Sequence, residues 1–411
     1  MLSLDMNQEK PQLFPEVESF AKKAMKYKDK FSFYFEEVQK QESSHITLAD
    51  QRLLNFCTYS YLALIDHPNV VNGAMKALIK FGCGTHGVRL LGGNLSIYRE
   101  LERTIARFCQ RDEAMVLTSG FLTNQTVIRA LVRPGDVIYC EARNHASIID
   151  GCKLANAEVK TFKHNDVDSL MQNLQAEDDD RRKLIVADAV FSMDGDILDL
   201  PVYLKIRDSI KNTYLMVDEA HSIGVLGNNG RGIEEHFHID PDKGIDIKMG
   251  TLSKAIPGNG GFISARSELI EFLRFHTRGY IFTATLSPIT AGAAIAALNV
   301  IENEGETRLK TLWRNVNHLR ARLAERGIVT TASRSPITGV LIGDEELAFA
   351  VAQACFDRGV FVMPVAYPAV ARRSERIRMN VTCNHTLQQI DTAVEVLSDV
   401  MQETMGQRKA S

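Results

Sequence analysis

Short apolar runs, each closed by a turn or by small residues, recur through the middle of the chain: EAMVLTSG at 113–120, DVIYCEA at 136–142, KLIVADAVF at 183–191, YLMVDEAHS at 214–222 and IKMGTLSKA at 247–255. Between them apolar residues fall three and four apart. Unalternating apolar runs suit strands buried on both faces, and helical spacing between them suits crossover helices. The pattern therefore predicts an α/β architecture, a mainly parallel sheet covered by helices on both sides. From 287 to 327 (SPITAGAAIAALNVIENEGETRLKTLWRNVNHLRARLAERG) the period is long and helical, with Gly327 placed to stop it. TGVLIG (338–343), VFVMPV (360–365) and RIRMNVT (376–382) then read as short strands before a last helix, a smaller α+β domain. Ahead of the sheet, EVESFAKKAMKYKDKF is partly helical in period and FSFYFEEV alternates, which predicts a helix and an extended arm. The expected organisation is an N-terminal helix and arm over 1–47, a large domain over 48–290 and a small C-terminal domain over 291–411.

Composition narrows the function classes. With 411 residues, 45% of them hydrophobic and 24% charged, the chain can bury a large core shared by two or three domains. A formal charge of −3 provides no basic footprint for nucleic acid or an anionic membrane, which leaves small-molecule chemistry. MLSLDMNQEKPQLF has no basic segment leading into an apolar one, and no run approaches the roughly 18 apolar residues that span a bilayer, so a cytoplasmic location is expected. The seven cysteines are odd in number, scattered and without a C-x-x-C pair; reduced thiols are expected, with neither disulfides nor a metal site.

Ligands of open α/β sheets gather beyond the carboxyl ends of the strands, so the polar residues after each apolar run are the candidates. Asp218 closes YLMVD, and His221 follows three residues later. A buried acid there suits a cation, although a strand-end acid also caps helices. Lys254 precedes the glycine-rich AIPGNGGF; alone it would read as a solvated charge, yet lysine is the side chain that condenses with an aldehyde once desolvation lowers its pKa. TSGFLTNQ (118–125) leads into a helix, where the N–H groups of Gly120 and Phe121 would face an anion, with the Thr251 hydroxyl beside them. His145, after DVIYCEA, offers a flat ring for stacking, though a lone histidine is more often structural. An aldehyde for the lysine, a cation for the aspartate, a phosphate for the glycine turn and a ring for the histidine are all met by pyridoxal 5′-phosphate.

The motifs FGCGTHGVRLLGG (81–93), NHASIIDGC (144–152), VFSMDGD (190–196), VDEAHSIGVLGNNGRG (217–232), GTLSKA (250–255) and RGYIFTATLSP (278–288) extend this match. From about 45 to 400 the chain resembles the α-oxoamine synthases, fold-type I pyridoxal phosphate enzymes, in wording closest to serine palmitoyltransferases. The resemblance implies a seven-stranded, mainly parallel sheet and a homodimer with the site at its interface. It makes Lys254 the Schiff-base lysine and the acid–base at Cα, pairs Asp218 with the pyridine nitrogen and stacks His145 on the ring. His221 and Ser192 would lie near the phenolic oxygen, and Gly120, Phe121 and Thr251 would hold the phosphate, with Thr283 reaching the partner's. Arg378 would grip the amino-acid carboxylate, to which its bidentate fork is suited. The implied reaction is a decarboxylative condensation of serine, alanine or glycine with an acyl thioester on CoA or a carrier protein, yielding an α-amino ketone.

Three positions depart from the family pattern. Ser60, next to Tyr59 in the substrate segment, replaces an asparagine and offers one donor instead of two. Tyr98 replaces a histidine, a change that packing can absorb. YPAVARRSE (367–375) replaces a proline-rich loop and puts Arg372 and Arg373 where a CoA or phosphopantetheine phosphate would be met, if they are more than a solvated turn. The lysine and aspartate are shared with aminotransferases and aldolases of the same cofactor, and a non-catalytic cofactor-binding partner subunit would keep much of the same sequence; these alternatives stay open.

Overall fold

The computed structural model describes residues 14–26 and 34–410. Helix α1 spans Pro15–Lys26, within the segment of helical period. The arm expected over FSFYFEEV falls partly on 27–33, outside the described residues. Strands β1 (Val38–Gln41), β2 (His45–Leu48) and β3 (Gln51–Asn55) form an antiparallel meander.

All five apolar runs are strands: β4 (Glu113–Leu117), β5 (Val137–Glu141), β7 (Lys183–Asp188), β8 (Thr213–Asp218) and β9 (Ile247–Thr251). With β6 (Glu158–Phe162) and β10 (Gly261–Ala265) they make a seven-stranded sheet in the order β4-β10-β9-β8-β7-β5-β6. Only β10 runs antiparallel, to β4 and β9. The carboxyl ends of β4, β5, β7, β8 and β9 therefore share one edge.

Side chains of successive strand residues point to opposite faces. Met115, Leu117, Ile138, Val186, Met216 and Met249 enter one core, and Ala114, Val116, Val137, Ile185, Leu215 and Val217 the other. The first face is covered by α4 (Gly120–Leu131), α5 (Ala146–Leu154) and α8 (Ser267–His276). The second lies under α2 (Pro68–Phe81), α3 (Ser96–Cys109), α6 (Val167–Gln175), α7 (Leu200–Ser209) and α9 (Pro288–Glu325). The 38-residue α9 is the expected long helix, ending two residues before Gly327, whose φ is +68°.

A buried charge network interrupts this core. Lys248 of β9 is wholly buried, its Nζ 3.1 Å from Glu219 Oε1 and 2.9 Å from Glu234 Oε2, while Arg111 Nη2 lies 2.5 Å from Glu234 Oε1. Burial opposes the lysine's charge, but the two carboxylates outweigh it and hold its pKa above the usual lysine range. Glu219 directly follows Asp218, so this network pins the end of β8 to β9.

Toward the C-terminus, β11 (Ile337–Leu341), β13 (Met363–Val365) and β14 (Arg376–Asn380) form an antiparallel sheet in the order β11-β14-β13, flanked by α10 (Glu345–Asp357) and α11 (Leu387–Ala410). The run VFVMPV is split: β12 (Val360–Phe361) instead pairs in parallel with β3. The expected divisions at 47/48 and 290/291 fall within β2 and within the first turn of α9. Among the described residues no helix is long and apolar enough to cross a membrane.

Lys254 lies in the connection between β9 and β10, whose ends are closed by the Thr251–Gly261 pair and a bond from Leu252 N–H to Gly260 O at 3.0 Å. The glycines that follow allow this loop to press on α4: a Cβ at Gly261 would stand 2.4 Å from Thr123 Oγ1 and 2.7 Å from Gly120 Cα. Gly261→Ala is accordingly expected to cost about 1–3 kcal/mol through overpacking, read as a lower midpoint in urea denaturation; an unchanged midpoint would contradict this packing.

Candidate active site

Each strand that ends at the shared edge delivers a polar residue. After β4, Ser119 caps α4, its Oγ accepting from Leu122 N–H at 3.1 Å and its carbonyl from Thr123 N–H at 3.0 Å. The N–H groups of Gly120 and Phe121 precede the first helical bond and have no acceptor among the described residues, so the positive end of the helix is bare. Thr251 stands against it, with Oγ1 3.2 Å from where a Cβ of Gly120 would be.

β5 leads to His145, the N-cap of α5. Its N–H donates to Asp188 Oδ2 at 2.7 Å, and its Nδ1 accepts from Ser147 N–H at 3.3 Å. Phe121 meets the imidazole edge-on, centroids 6.1 Å apart. β7 and β8 end side by side in register on Asp188 and Asp218, both buried. Asp218, 4% exposed, accepts from Asn124 Nδ2 at 2.7 Å and from Ala220 N–H at 2.8 Å, and among the described residues no cation is in ion-pair contact with it. Burial, and then the Asp218 charge, push Asp188 well above the carboxylate range despite the His145 N–H bond.

β9 leads to Lys254, whose amine burial pulls down to about 8; Asp218 and Asp188 oppose that shift and Arg378 adds to it. His221 is buried with Nδ1 3.0 Å from the Tyr61 hydroxyl, and burial followed by Lys254, Arg378 and His145 holds it well below the usual histidine value. Burial, opposed by Asp218 and reinforced by Lys254, also lowers His145. Both imidazoles are thus biased to the neutral form, in which a ring can stack on or accept from a ligand without adding charge.

Arg378 reaches this group from β14. It is 7% exposed; its Nη1 donates to the Tyr59 hydroxyl at 3.0 Å, and the Tyr59 ring lies 5.0 Å beneath the guanidinium and 6.0 Å from Lys254 Nζ. Among the described residues its Nε and Nη2 are buried without a hydrogen-bond partner, as is Ser60 Oγ. A buried cation with idle donors is costly unless an anion completes it. A cavity of about 340 Å³ opens beside these groups, with Cys57, Tyr59, Ser60, Lys254 and Phe361 in its wall.

The structure therefore brings together Lys254, Asp218, His145, His221, Tyr59, Ser60 and Arg378, and sets Gly120, Phe121 and Thr251 at a helix start beside them. Ser192 lies in the turn after β7 and makes no side-chain hydrogen bond among the described residues; Thr283 lies half-buried in the segment before α9. Asp188, Asn124 and Tyr61 escaped sequence reasoning. Asp188 carried the same strand-end signal as Asp218, whereas the partners of Asn124 and Tyr61 are 94 and 160 residues away. Pyridoxal phosphate fits what is present: a bare helix start for its phosphate, a buried carboxylate lacking a cation for its ring nitrogen, and a desolvated amine for its aldehyde.

The comparisons agree. The profile of a family described as aminotransferase class I and II matches residues 51–397. The chain is 39% identical to a serine palmitoyltransferase of Bacteroides thetaiotaomicron over 89% of its length and 91% of that protein's. It is 37% identical to 8-amino-7-oxononanoate synthase 1 of Bacillus velezensis, over 89% of this chain and 93% of the relative. Among solved structures, the serine palmitoyltransferase of S. paucimobilis with a bound PLP–myriocin aldimine superposes with a TM-score of 0.91 at 28% identity, covering 96% of this chain and all of that one.

Only a neutral amine attacks an aldehyde, so a lysine held at about 8 makes covalent uptake of pyridoxal phosphate accelerate as pH rises through about 8. Stopped-flow absorbance of the apoprotein from pH 6 to 10 (roughly the span over which such an amine titrates) reads this. Acceleration only near the ordinary lysine value would contradict the desolvation.

Proposed function

Because the chain belongs to the aminotransferase class I and II family, and within it to the pyridoxal-phosphate-dependent α-oxoamine synthases, we propose that it joins serine, alanine or glycine to an acyl thioester on CoA or a carrier protein. Carbon dioxide, free thiol and an α-amino ketone are released. The fold is that of the fold-type I transferases, and the chain is a decarboxylating acyltransferase of that class. Bound pyridoxal phosphate supplies an aldehyde for attachment and a cationic ring that draws electrons from Cα.

The observation that carries the substrate assignment is Arg378. Its unpartnered Nε and Nη2 suit a carboxylate, and gripping one orients the amino acid so that its Cα–H bond faces Lys254. Lys254, whose pKa burial lowers to about 8, takes and returns the Cα proton. With the cofactor bound, Asp218 would keep its ring nitrogen protonated, His145 would stack on the ring, His221 and Ser192 would serve the phenolic oxygen, and Gly120, Phe121 and Thr251 would hold the phosphate. The Ser60 hydroxyl, unpartnered among the described residues, faces the substrate side of this reading, and Arg372 and Arg373 are exposed for a donor phosphate. Cytoplasmic residence belongs to this reading, since acyl thioesters of CoA and carrier proteins form there.

A homodimer belongs to it too, with Thr283 reaching the partner's phosphate. Leu90, Leu91 and Phe282 are exposed, and a bridge between Val88 and Ala284 sets their two segments side by side. Such contiguous apolar surface is what a subunit interface covers.

The deciding experiment incubates the cofactor-loaded protein with each amino acid and a panel of acyl-CoA and acyl-carrier thioesters, following carbon dioxide and free thiol together. Equal release of both with one pair names the substrates; release of neither, or transamination without thioester, would sink the reading. Arg378→Ala is expected to weaken amino-acid binding by about 2–5 kcal/mol, the usual cost of breaking a buried charged contact, with cofactor binding retained. Light scattering of the loaded protein should give twice the chain mass.

A further inference from the structure

His164, two residues beyond β6, has a carboxylate on each ring nitrogen: Nδ1 lies 2.8 Å from Glu141 Oε1 and Nε2 2.9 Å from Asp196 Oδ2. A carboxylate only accepts, so both nitrogens must donate, and only the imidazolium does that. The ring also stands edge-on to Phe191, centroids 4.6 Å apart.

The two carboxylates belong to different turns at the site's edge. Glu141, wholly buried, ends β5, and its Oε2 accepts from Arg143 N–H at 2.6 Å, which shapes the turn that presents His145. Asp196 closes the 190–197 turn, in which its carbonyl accepts from Phe191 N–H at 3.1 Å and Val190 pairs with Ile197. That turn carries Ser192. It is also held from β14, where Arg376 Nη1 donates to Asp194 Oδ1 at 2.8 Å, two residues from Arg378 on the same face of the strand.

We propose that His164 is a positioning residue: as an imidazolium bridging Glu141 and Asp196, it locks the turn that presents His145 to the turn that carries Ser192. Without it, the Glu141 carboxylate would keep a single backbone donor in a dry place, a cost relieved only by the turn moving toward water. This rests on the reading that both turns line the cofactor pocket.

Burial lowers the His164 pKa, but Asp196 and Glu141 outweigh it and bring it to about 9. Other groups facing this cluster are Asp188, raised by its burial and Asp218 with Glu141 adding to the rise, and Asp194, whose burial is outweighed by Arg376, Arg143 and His164. Arg143, whose Nη1 lies 2.6 Å from Asp194 Oδ2, also faces it and also joins the two turns, as does the Tyr203 hydroxyl of α7 face it, its pKa raised by its own burial and by Glu141. The folded value is raised, so the lock is complete below the ordinary histidine pKa and is lost as pH rises through about 9.

The test uses the full chain and pyridoxamine 5′-phosphate, which has an amine in place of the aldehyde and so does not couple to Lys254. Its affinity is measured by fluorescence across pH for the wild type, His164→Gln, Asp196→Ala and a control, His318→Gln, whose histidine pairs with Asp391 elsewhere. His164 itself is followed by NMR through its ring proton in the apoprotein. The expected result is titration near about 9, with affinity about tenfold weaker in the two cluster variants, as for partners one step removed from a ligand. The alkaline fall in affinity should be present in the wild type and control and absent from the variants. Titration near the ordinary value of about 6.5, unchanged affinity in the variants, or a loss that keeps the alkaline step would overturn the proposal. No binding to the wild type would instead overturn the reading of the pocket, and the proposal with it.

Discussion

Desolvated charge is the constraint on which the site depends. Lys254, Arg378, Asp188 and Asp218 are brought into one largely dry pocket with two imidazoles, and each would relax toward water if its backbone allowed. The backbone does not allow it because a second, paired set of charges lies beneath: Lys248 between Glu219 and Glu234, with Arg111 on the other oxygen of Glu234. Each acid of that set has its cation, so the network holds β8 to β9. The set above is left deliberately short of partners. Among the described residues Asp218 lacks a cation and Arg378 an anion, which is the state a binding site must have before its ligand arrives.

Much of this was legible in the chain. Five strands of the large sheet announced themselves because a strand buried on both faces has little use for polar residues, and the residues at their ends follow from where strands of such sheets stop. Strand β6 was illegible for the opposite reason: EVKTF lies at the sheet edge with Phe162 alone buried, so its pattern is that of surface. β10 was missed because GFISA follows the glycine cluster and reads as its continuation. VFVMPV reads as one strand, since nothing local shows that its first half pairs with β3 and its second with β14.

For the site, residue types and order suggested the cofactor, but not the state of any group. That Arg378 has two idle nitrogens, that Asp188 opposes Asp218, or that Tyr61 backs His221 depends on contacts between elements far apart in sequence. The departure at Tyr98 resolves as packing: its hydroxyl donates to Leu286 O at 2.8 Å and the Arg89 guanidinium lies 4.8 Å from its ring. Ser60 does not resolve this way, since its buried hydroxyl has no partner.

The loop between β9 and β10 has a bearing on inhibitor selectivity. On the proposed reading, covalent anchor and phosphate cradle sit on one hairpin and the helix it presses against, while the amino-acid clamp comes from the three-stranded sheet of β11, β13 and β14. A compound that imitates the cofactor alone engages surfaces common to many enzymes of this chemistry. One that adds a carboxylate and a short side chain also engages Arg378 and the unpartnered Ser60 hydroxyl, and that is where discrimination is to be sought.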